Sequence, residues 1–147
     1  MLSATCKYGI RAVIFIASKS ERNANTGLKE ISEKLEIPQP YLAKILQALA
    51  KKKILHSSKG PHGGFYLMIP AEKLTLMNII EALDGRDFFD NCYVTGEKCN
   101  LEETSDKGVC VLHNELRQEK IRLEKFFESK SIEQLVEQLR RNQSVNI

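Results

Sequence analysis

This chain has no apolar run long enough to cross a membrane. The run near its start, Ala12 to Ala17, is six residues between Arg11 and Lys19; a spanning helix needs about 18 or more, and a secretory leader about 7–15. It has no repeat at a solenoid period and no low-complexity tract. With 42% hydrophobic residues in 147, that excludes repeat arrays and disordered chains. It has no acidic residue from Ile37 to Ala71. It has no CxxC pair among its four cysteines, which excludes the usual zinc-finger spacing. What remains is a globular chain long enough for one real core, too short for two large domains, and expected in the cytoplasm. In that reducing compartment four cysteines are poor candidates for structural disulfides. Metal ligation or thiol redox chemistry is the better default.

The apolar spacing predicts a mainly helical fold. Residues 5–19 read as a helix with Cys6, Ile10, Val13 and Ala17 on one stripe. Residues 20–27, SERNANTG, are turn-rich. Leu28, Ile31 and Leu35 predict a second helix that stops at the Ile37-Pro38 step, because a residue before proline avoids the helical region. Pro40 suits the first turn of a third helix, where a missing N–H costs nothing. Leu42, Ile45, Leu46 and Leu49 are its buried stripe. Ile54–Ser57 and Phe65–Ile69 flank Lys59-Gly60-Pro61-His62-Gly63-Gly64 and predict a β-hairpin with a glycine-rich tip. Thr75 caps a fourth helix carrying Leu76, Ile79, Ile80 and Leu83, and Gly85 ends it. Residues 86–110 have no sustained period, and so long a loop in a compact domain calls for a bound centre.

A long helix is predicted from about Val111 to about Ser129, a boundary good to a few residues. It carries Leu112, Leu116, Leu123 and Phe127, widened by Ile121 and Phe126. That is more apolar surface than one small domain covers, so a second copy is expected against it. Ser131 with Gln134 reads as a capping box opening a last helix with Ile132, Leu135, Val136 and Leu139.

Helix, turn, helix, hairpin is the order of a winged helix-turn-helix, whose second helix enters the major groove of DNA. Its first residues here, Gln39, Tyr41 and Lys44, with Gln47 one turn on, are the candidates for base edges. Lys51, with Lys52 and Lys53, is placed for phosphates. The wing tip, Lys59, Gly60, Pro61, His62 and Gly63, brings backbone close to the duplex, with Lys59 in or beside the minor groove. A lysine run at a helix end is equally a solvated C-terminus favoured by the helix dipole. Tyr41 is equally a core anchor, and His56 and His62 equally plain surface residues. The distribution of charge decides. Residues 37–71 carry five lysines and no acid, whereas Asp84 to Lys107 carries seven acids and three bases, 3 − 7 = −4. Only the first block is built to face a polyanion.

Downstream, Cys92, Cys99, Cys110 and His113 fall within 22 positions, spaced x6, x10 and x2. Cys110 and His113 at i, i+3 share a helical face. Soft thiolates select iron–sulfur clusters, zinc or copper(I), and a cluster can be held by ligands spread over a loop. Core packing explains these three cysteines poorly, since their neighbours are polar. Cys6, inside the first helix, reads instead as a small buried residue. His113 is equally a ligand or a surface residue. A Cys110–His113 nucleophile and base pair has no orienting partner, so an enzyme is not expected.

Both halves in this order resemble the bacterial winged-helix iron–sulfur and redox transcription regulators of the IscR, NsrR and CymR type. The resemblance runs from Lys7-Tyr8-Gly9-Ile10-Arg11-Ala12 through Ile31-Ser32-Glu33-Lys34 and Tyr41-Leu42-x-Lys44-Ile45-Leu46-x-x-Leu49. It continues in the wing, Lys59-Gly60-Pro61-x-Gly63-Gly64-Phe65, in Ile79-Ile80-x-Ala82-Leu83-Asp84-Gly85, and in the three cysteines. It implies a homodimer on palindromic double-stranded promoter DNA, with the long helix as dimer contact and the cluster near the partner's first helix. IscR-like members hold a [2Fe–2S] cluster with three cysteines and a histidine, and Cys92, Cys99, Cys110 and His113 fall on that pattern. That favours [2Fe–2S] over [4Fe–4S]. NsrR-like members take a fourth ligand from an acidic residue of the partner's first helix; this chain has Lys7 about there, a poor ligand, with Cys6 as a possible substitute. Two features depart from the pattern. The second cysteine gap is longer than usual, and Lys59 stands where arginine is more common.

The expectation is therefore a mainly α chain: a winged helix-turn-helix with a small β-hairpin wing over 1–84, a cluster loop over 85–112, and a long dimerisation helix with a C-terminal helix over 113–147. Its function would be that of a regulator, a repressor by preference, whose promoter binding follows a cluster sensing redox state, nitric oxide or cluster supply. The competing expectations are a cluster-free thiol switch using the same cysteines, a CymR-like regulator governed by a partner protein, and a structural zinc site. No small-molecule substrate and no membrane are expected.

Overall fold

The computed structural model describes residues 2–19, 25–92, 94, 96–98 and 112–141. Helix α1 (Ala4–Lys19) is the axis of the molecule. Residues Ala12 to Ala17 are all buried, so its middle is enclosed on every side rather than along the one predicted stripe. Ile10, predicted for that stripe, is only partly covered. The reason is that the helices Gln39–Lys51, Leu76–Leu83 and Ile132–Arg141 and the hairpin all pack against it.

Helix α2 (Leu28–Leu35) ends at Glu36 in the left-handed conformation, φ 55°. Its turn is closed by reciprocal bonds. The Ile37 amide donates to Ser32 O at 3.1 Å, and the Ser32 hydroxyl donates to Ile37 O at 2.6 Å. This satisfies a buried hydroxyl and the end of the helix together. Helix α3 (Gln39–Lys51) then starts with Pro40 in its first turn and buries Leu42, Ile45, Leu46 and Leu49, the predicted stripe.

Strands β1 (Leu55–Ser58) and β2 (Gly64–Leu67) pair antiparallel, Leu55 with Leu67 through Ser58 with Gly64. They start and stop one or two residues away from the predicted runs. Lys53 has φ 60° and Ile54 still donates back to Leu49 O at 3.0 Å, so Ile54 belongs to the helix exit. The hairpin gains a third partner from the segment read only as turn-rich. Thr26 bridges to Phe65, the two exchanging N–H···O bonds of 3.0 and 2.9 Å.

Helix α4 (Leu76–Leu83) opens with a capping box between Thr75 and Asn78. Gly85, at φ +73°, lets the chain leave it. Within the predicted loop 86–110 lies a helix the periodicity did not predict, α5 (Asp87–Asp90). Four residues are too few to show a period, and burial of Phe89 selects the turn. Helix α6 (His113–Ser129) is the long helix. Helix α7 (Ile132–Arg141) opens with the predicted Ser131–Gln134 capping box. It returns to the head: Ile132 and Val136 sit in the same core as α1 and α3, each contributing roughly 1.5–3 kcal/mol by burial. A second, smaller core gathers Cys6, Met77, Ile80 and Phe89, with Phe127 of α6 packed on it. No helix among the described residues is long and apolar enough to span a membrane.

Candidate nucleic-acid interface and metal centre

The outer face of α3 presents Gln39, Tyr41, Lys44, Gln47 and Lys51, all exposed. Its inner face is the apolar stripe, so the 3.6-residue repeat alone turns these polar residues outward. The N-terminal end is braced from α1. The Tyr41 hydroxyl lies 2.8 Å from Thr5 Oγ1, and its ring meets Tyr8 edge-on at 5.8 Å. Arg11 lies over Tyr8 and donates to Leu35 O at 3.1 Å, tying the end of α2 into the same brace. Tyr41 thus touches α1 while 37% of its surface stays exposed.

The wing tip places Lys59, Gly60, Pro61 and His62 at the surface. Its glycines serve different ends. Gly60 has φ +110° and open space around it, so the turn there needs glycine for backbone conformation. At Gly63 a Cβ would stand 2.4 Å from Ser58 O, and at Gly64 one would stand 2.6 Å from Thr26 O. Gly63 thus lets the hairpin tip close on itself, and Gly64 lets Thr26 pack against β2. Asn25 donates to His62 O at 3.0 Å and steadies the tip. Asn25 and Thr26 went unnoticed in the sequence; the only signal was a β-branched residue ahead of a glycine. His56 stacks on Tyr66 at 4.7 Å across the hairpin.

Of the four predicted ligands, Cys92 is described in full. Cys99 and Cys110 lie outside the described residues, and His113 is the first residue of α6. Among the described residues no three His, Cys, Asp or Glu side chains converge on a metal position. Cys92 is half-buried in a tight turn. Its amide donates to Glu97 O at 2.7 Å, the Gly96 amide donates back to Cys92 O at 2.9 Å, and Asn91 bridges to Lys98. The Val94 amide donates to Cys92 Sγ at 3.4 Å. An amide aimed at a partly exposed sulfur is the support a ligating thiolate uses. The one donor described, the Cys92 sulfur, is of the type a soft metal takes.

The root of this turn is fastened to the helices by two cations that sequence reading missed. Arg86 pairs with Glu81 of α4 at 2.6 Å, with Asp90 of α5 at 3.7 Å, and with Glu124 of α6. Lys120 of α6 is buried, and its ammonium donates to Phe89 O at 3.4 Å and to Asn91 O. Position 113 lies seven residues before Lys120, two turns and about 10 Å along the same stripe of α6. Along one flank of this inner face, Leu112, Leu123 and Phe126 remain exposed.

Cys6, named above as a possible substitute ligand, sits in the smaller core with Met77, Ile80 and Phe89. It is wholly buried, and burial, followed by the neighbouring Asp84 carboxylate, pushes its thiol from 9.0 up to about 12. The metal-ligating form is the thiolate, which this pocket opposes. Asp84 is engaged with the start of α1, accepting from the Ser3 amide at 2.8 Å and from its hydroxyl.

The family model described as an iron-dependent transcriptional regulator, Rrf2, matches residues 2–138. An Aquifex aeolicus helix-turn-helix transcriptional regulator is 30% identical over 92% of this chain and 91% of its own length. An IscR of Xenorhabdus nematophila is 28% identical over 92% of this chain and 78% of its own. Among solved structures, CymR, the global cysteine regulator of B. subtilis, superposes with a TM-score of 0.77 at 20% identity, covering 93% of this chain and 96% of that one. The T. potens IscR gives 0.74 at 19%, covering 100% and 93%. These relatives are regulators rather than enzymes, and their fold is the winged helix described above. The chain therefore belongs to the Rrf2 family of DNA-binding transcriptional regulators.

Proposed function

We propose that this regulator acts as a homodimer on palindromic promoter DNA, with its affinity set by an iron–sulfur cluster, [2Fe–2S] in preference to [4Fe–4S], held by Cys92, Cys99, Cys110 and His113. The observation that carries the proposal is the Cys92 turn, with an amide aimed at the sulfur and its root fixed to α6. The names of the IscR and NsrR relatives support it.

In this reading α3 presents Gln39, Tyr41, Lys44 and Gln47 to base edges and Lys51 to phosphate, while Lys59, Gly60, Pro61, His62 and Gly63 lie along the backbone. The exposed stripe of Leu112, Leu123 and Phe126 packs on a second copy. Two heads so joined must meet half-sites about one helical turn, roughly 34–36 Å, apart. A small rotation at α6 therefore changes the fit of both at once. A bound cluster supplies electron-transfer chemistry and sensitivity to oxidants and nitric oxide. The chain's own part is to hold the Cys92 turn against α6, so that the ligand state of the loop bears on the dimer. A coupling of about 1–3 kcal/mol is enough to switch occupancy.

Oxygen-protected purification with absorption, iron and sulfide assays tests the reading. It predicts a coloured protein with iron and sulfide in equal amount. Colourless, iron-free protein from iron-replete cells would sink it. A reversible two-proton mass loss in such protein would assign the cysteines to a disulfide switch instead.

A further inference from the structure

Lys120 has no part in the regulatory reading as a ligand or a DNA contact, yet it is only 6% exposed in an otherwise charged helix. A buried ammonium is costly unless its donors are matched. Here they reach Phe89 O in α5 and Asn91 O just past its end, carbonyls with lone pairs free to accept them. Asn91 is the residue before Cys92, and its bridge to Lys98 closes the turn that carries the sulfur. An apolar side chain would suit this stripe of α6 beside Leu116 and Phe127 just as well for packing. It would leave the turn unattached.

We propose that Lys120 is a positioning residue that registers the Cys92 turn against α6, so that a change in what the Cys92 sulfur binds moves the helix bearing the exposed apolar stripe. This rests on the reading of Cys92 as a regulatory ligand, and its test is separate from that reading. The coupling element is a contiguous physical link, not mere nearness: carbonyl, ammonium and helix.

The test uses the full chain, reduced and stripped of metal, with iodoacetamide as probe and peptide mass spectrometry as readout. Cys6, wholly buried, is the internal gauge of global opening. Lys120→Met should speed alkylation of Cys92 roughly tenfold while Cys6 stays silent, as loss of a hydrogen bond from a charged donor does to a local opening equilibrium. Lys120→Arg, which keeps the charge and donors, should restore slow alkylation. Equal rates in Lys120→Met and the unaltered chain overturn the proposal. So does a Lys120→Arg variant as fast as Lys120→Met, because packing alone would then explain the effect. If Lys120→Met unmasks Cys6 too, native hydrogen exchange on the unaltered chain decides. The Cys92 amide, bonded to Glu97 O, must open together with the α6 amides around Lys120, and independent opening overturns the link. Iron and sulfide content, measured separately, decides the cluster reading whatever the alkylation shows.

Discussion

The wing and the Cys92 turn are both short backbone reversals standing off a helical body, and they are fastened in opposite ways. The wing is held by backbone. Four residue pairs join β1 to β2, Thr26 adds a bridge at Phe65, and Gly63 and Gly64 let strands approach where a Cβ would collide. The Cys92 turn closes on itself through backbone bonds, but side chains tie it to the body: Lys120 of α6 on the Phe89 and Asn91 carbonyls, and Arg86 at its root bridging α4, α5 and α6. A backbone-held element keeps its shape whatever it touches. An element held by two cations can shift when its charge balance changes, which is what a sensing element requires.

The largest expected effect separates the two completely. Replacing Cys92, Cys99 and Cys110 together by serine should abolish iron uptake and the dependence of DNA affinity on iron state, while the wing and α3 still bind DNA. Promoter affinity that still follows iron in that variant would falsify the division of labour.

Next comes Gly64→Ala. The new Cβ meets Thr26 O at 2.6 Å, so backbone must move. The expected loss is about 1–3 kcal/mol, or roughly 2–4 °C of Tm per kcal/mol at this size. DNA affinity should fall while iron content per folded chain is unchanged. A stable variant with full affinity would show that the wing is not held as tightly as the backbone packing implies.

A smaller effect follows from Lys59→Ala. If each wing places one lysine on phosphate, the dimer loses two contacts, and the slope of log K against log[salt] should shrink by roughly 2 for every sequence tested. An unchanged slope removes Lys59 from the interface.

The smallest concerns Cys6, in the smaller core beside Phe89. Its thiol is held neutral at about 12 when folded, against 9.0 ordinarily, by burial first and Asp84 second. Its folded-state pKa is raised and its neutral form is the protonated one. The unfolded chain therefore releases this proton first as pH rises through 9, and stability declines from there towards pH 12. Urea unfolding at about pH 8 and about pH 10.5 should show a steeper decline for the unaltered chain than for Cys6→Ala. Parallel declines would mean that the thiol is not held as the structure indicates.

Much of this molecule was legible from residue spacing. The α3 stripe of Leu42, Ile45, Leu46 and Leu49, the Ser131–Gln134 capping box, the Thr75 cap and the glycine-rich hairpin are local devices, and local devices leave a pattern in neighbouring residues. The exposed face of α3 follows from the same pattern, since burying one stripe displays the other. Helix α5 left no pattern because four residues do not complete a period. Thr26 as a bridge partner left none because its mate is 39 positions away.

The sequence by itself determined the winged-helix order, the acid-free face and the presence of three cysteines and a histidine close together downstream of it, because periodicity, charge and side-chain chemistry are properties of residues and their spacing. Only the tertiary structure decided which residues hold that chemistry in place. It buried Cys6 beside Asp84, closed the wing on Thr26, and spent a lysine of α6 on the carbonyls before Cys92. Lys120 looks like any other charged residue of an exposed helix until the fold brings α5 against it. A buried ammonium is defined by its surroundings, and those come from residues 29 and 31 positions away.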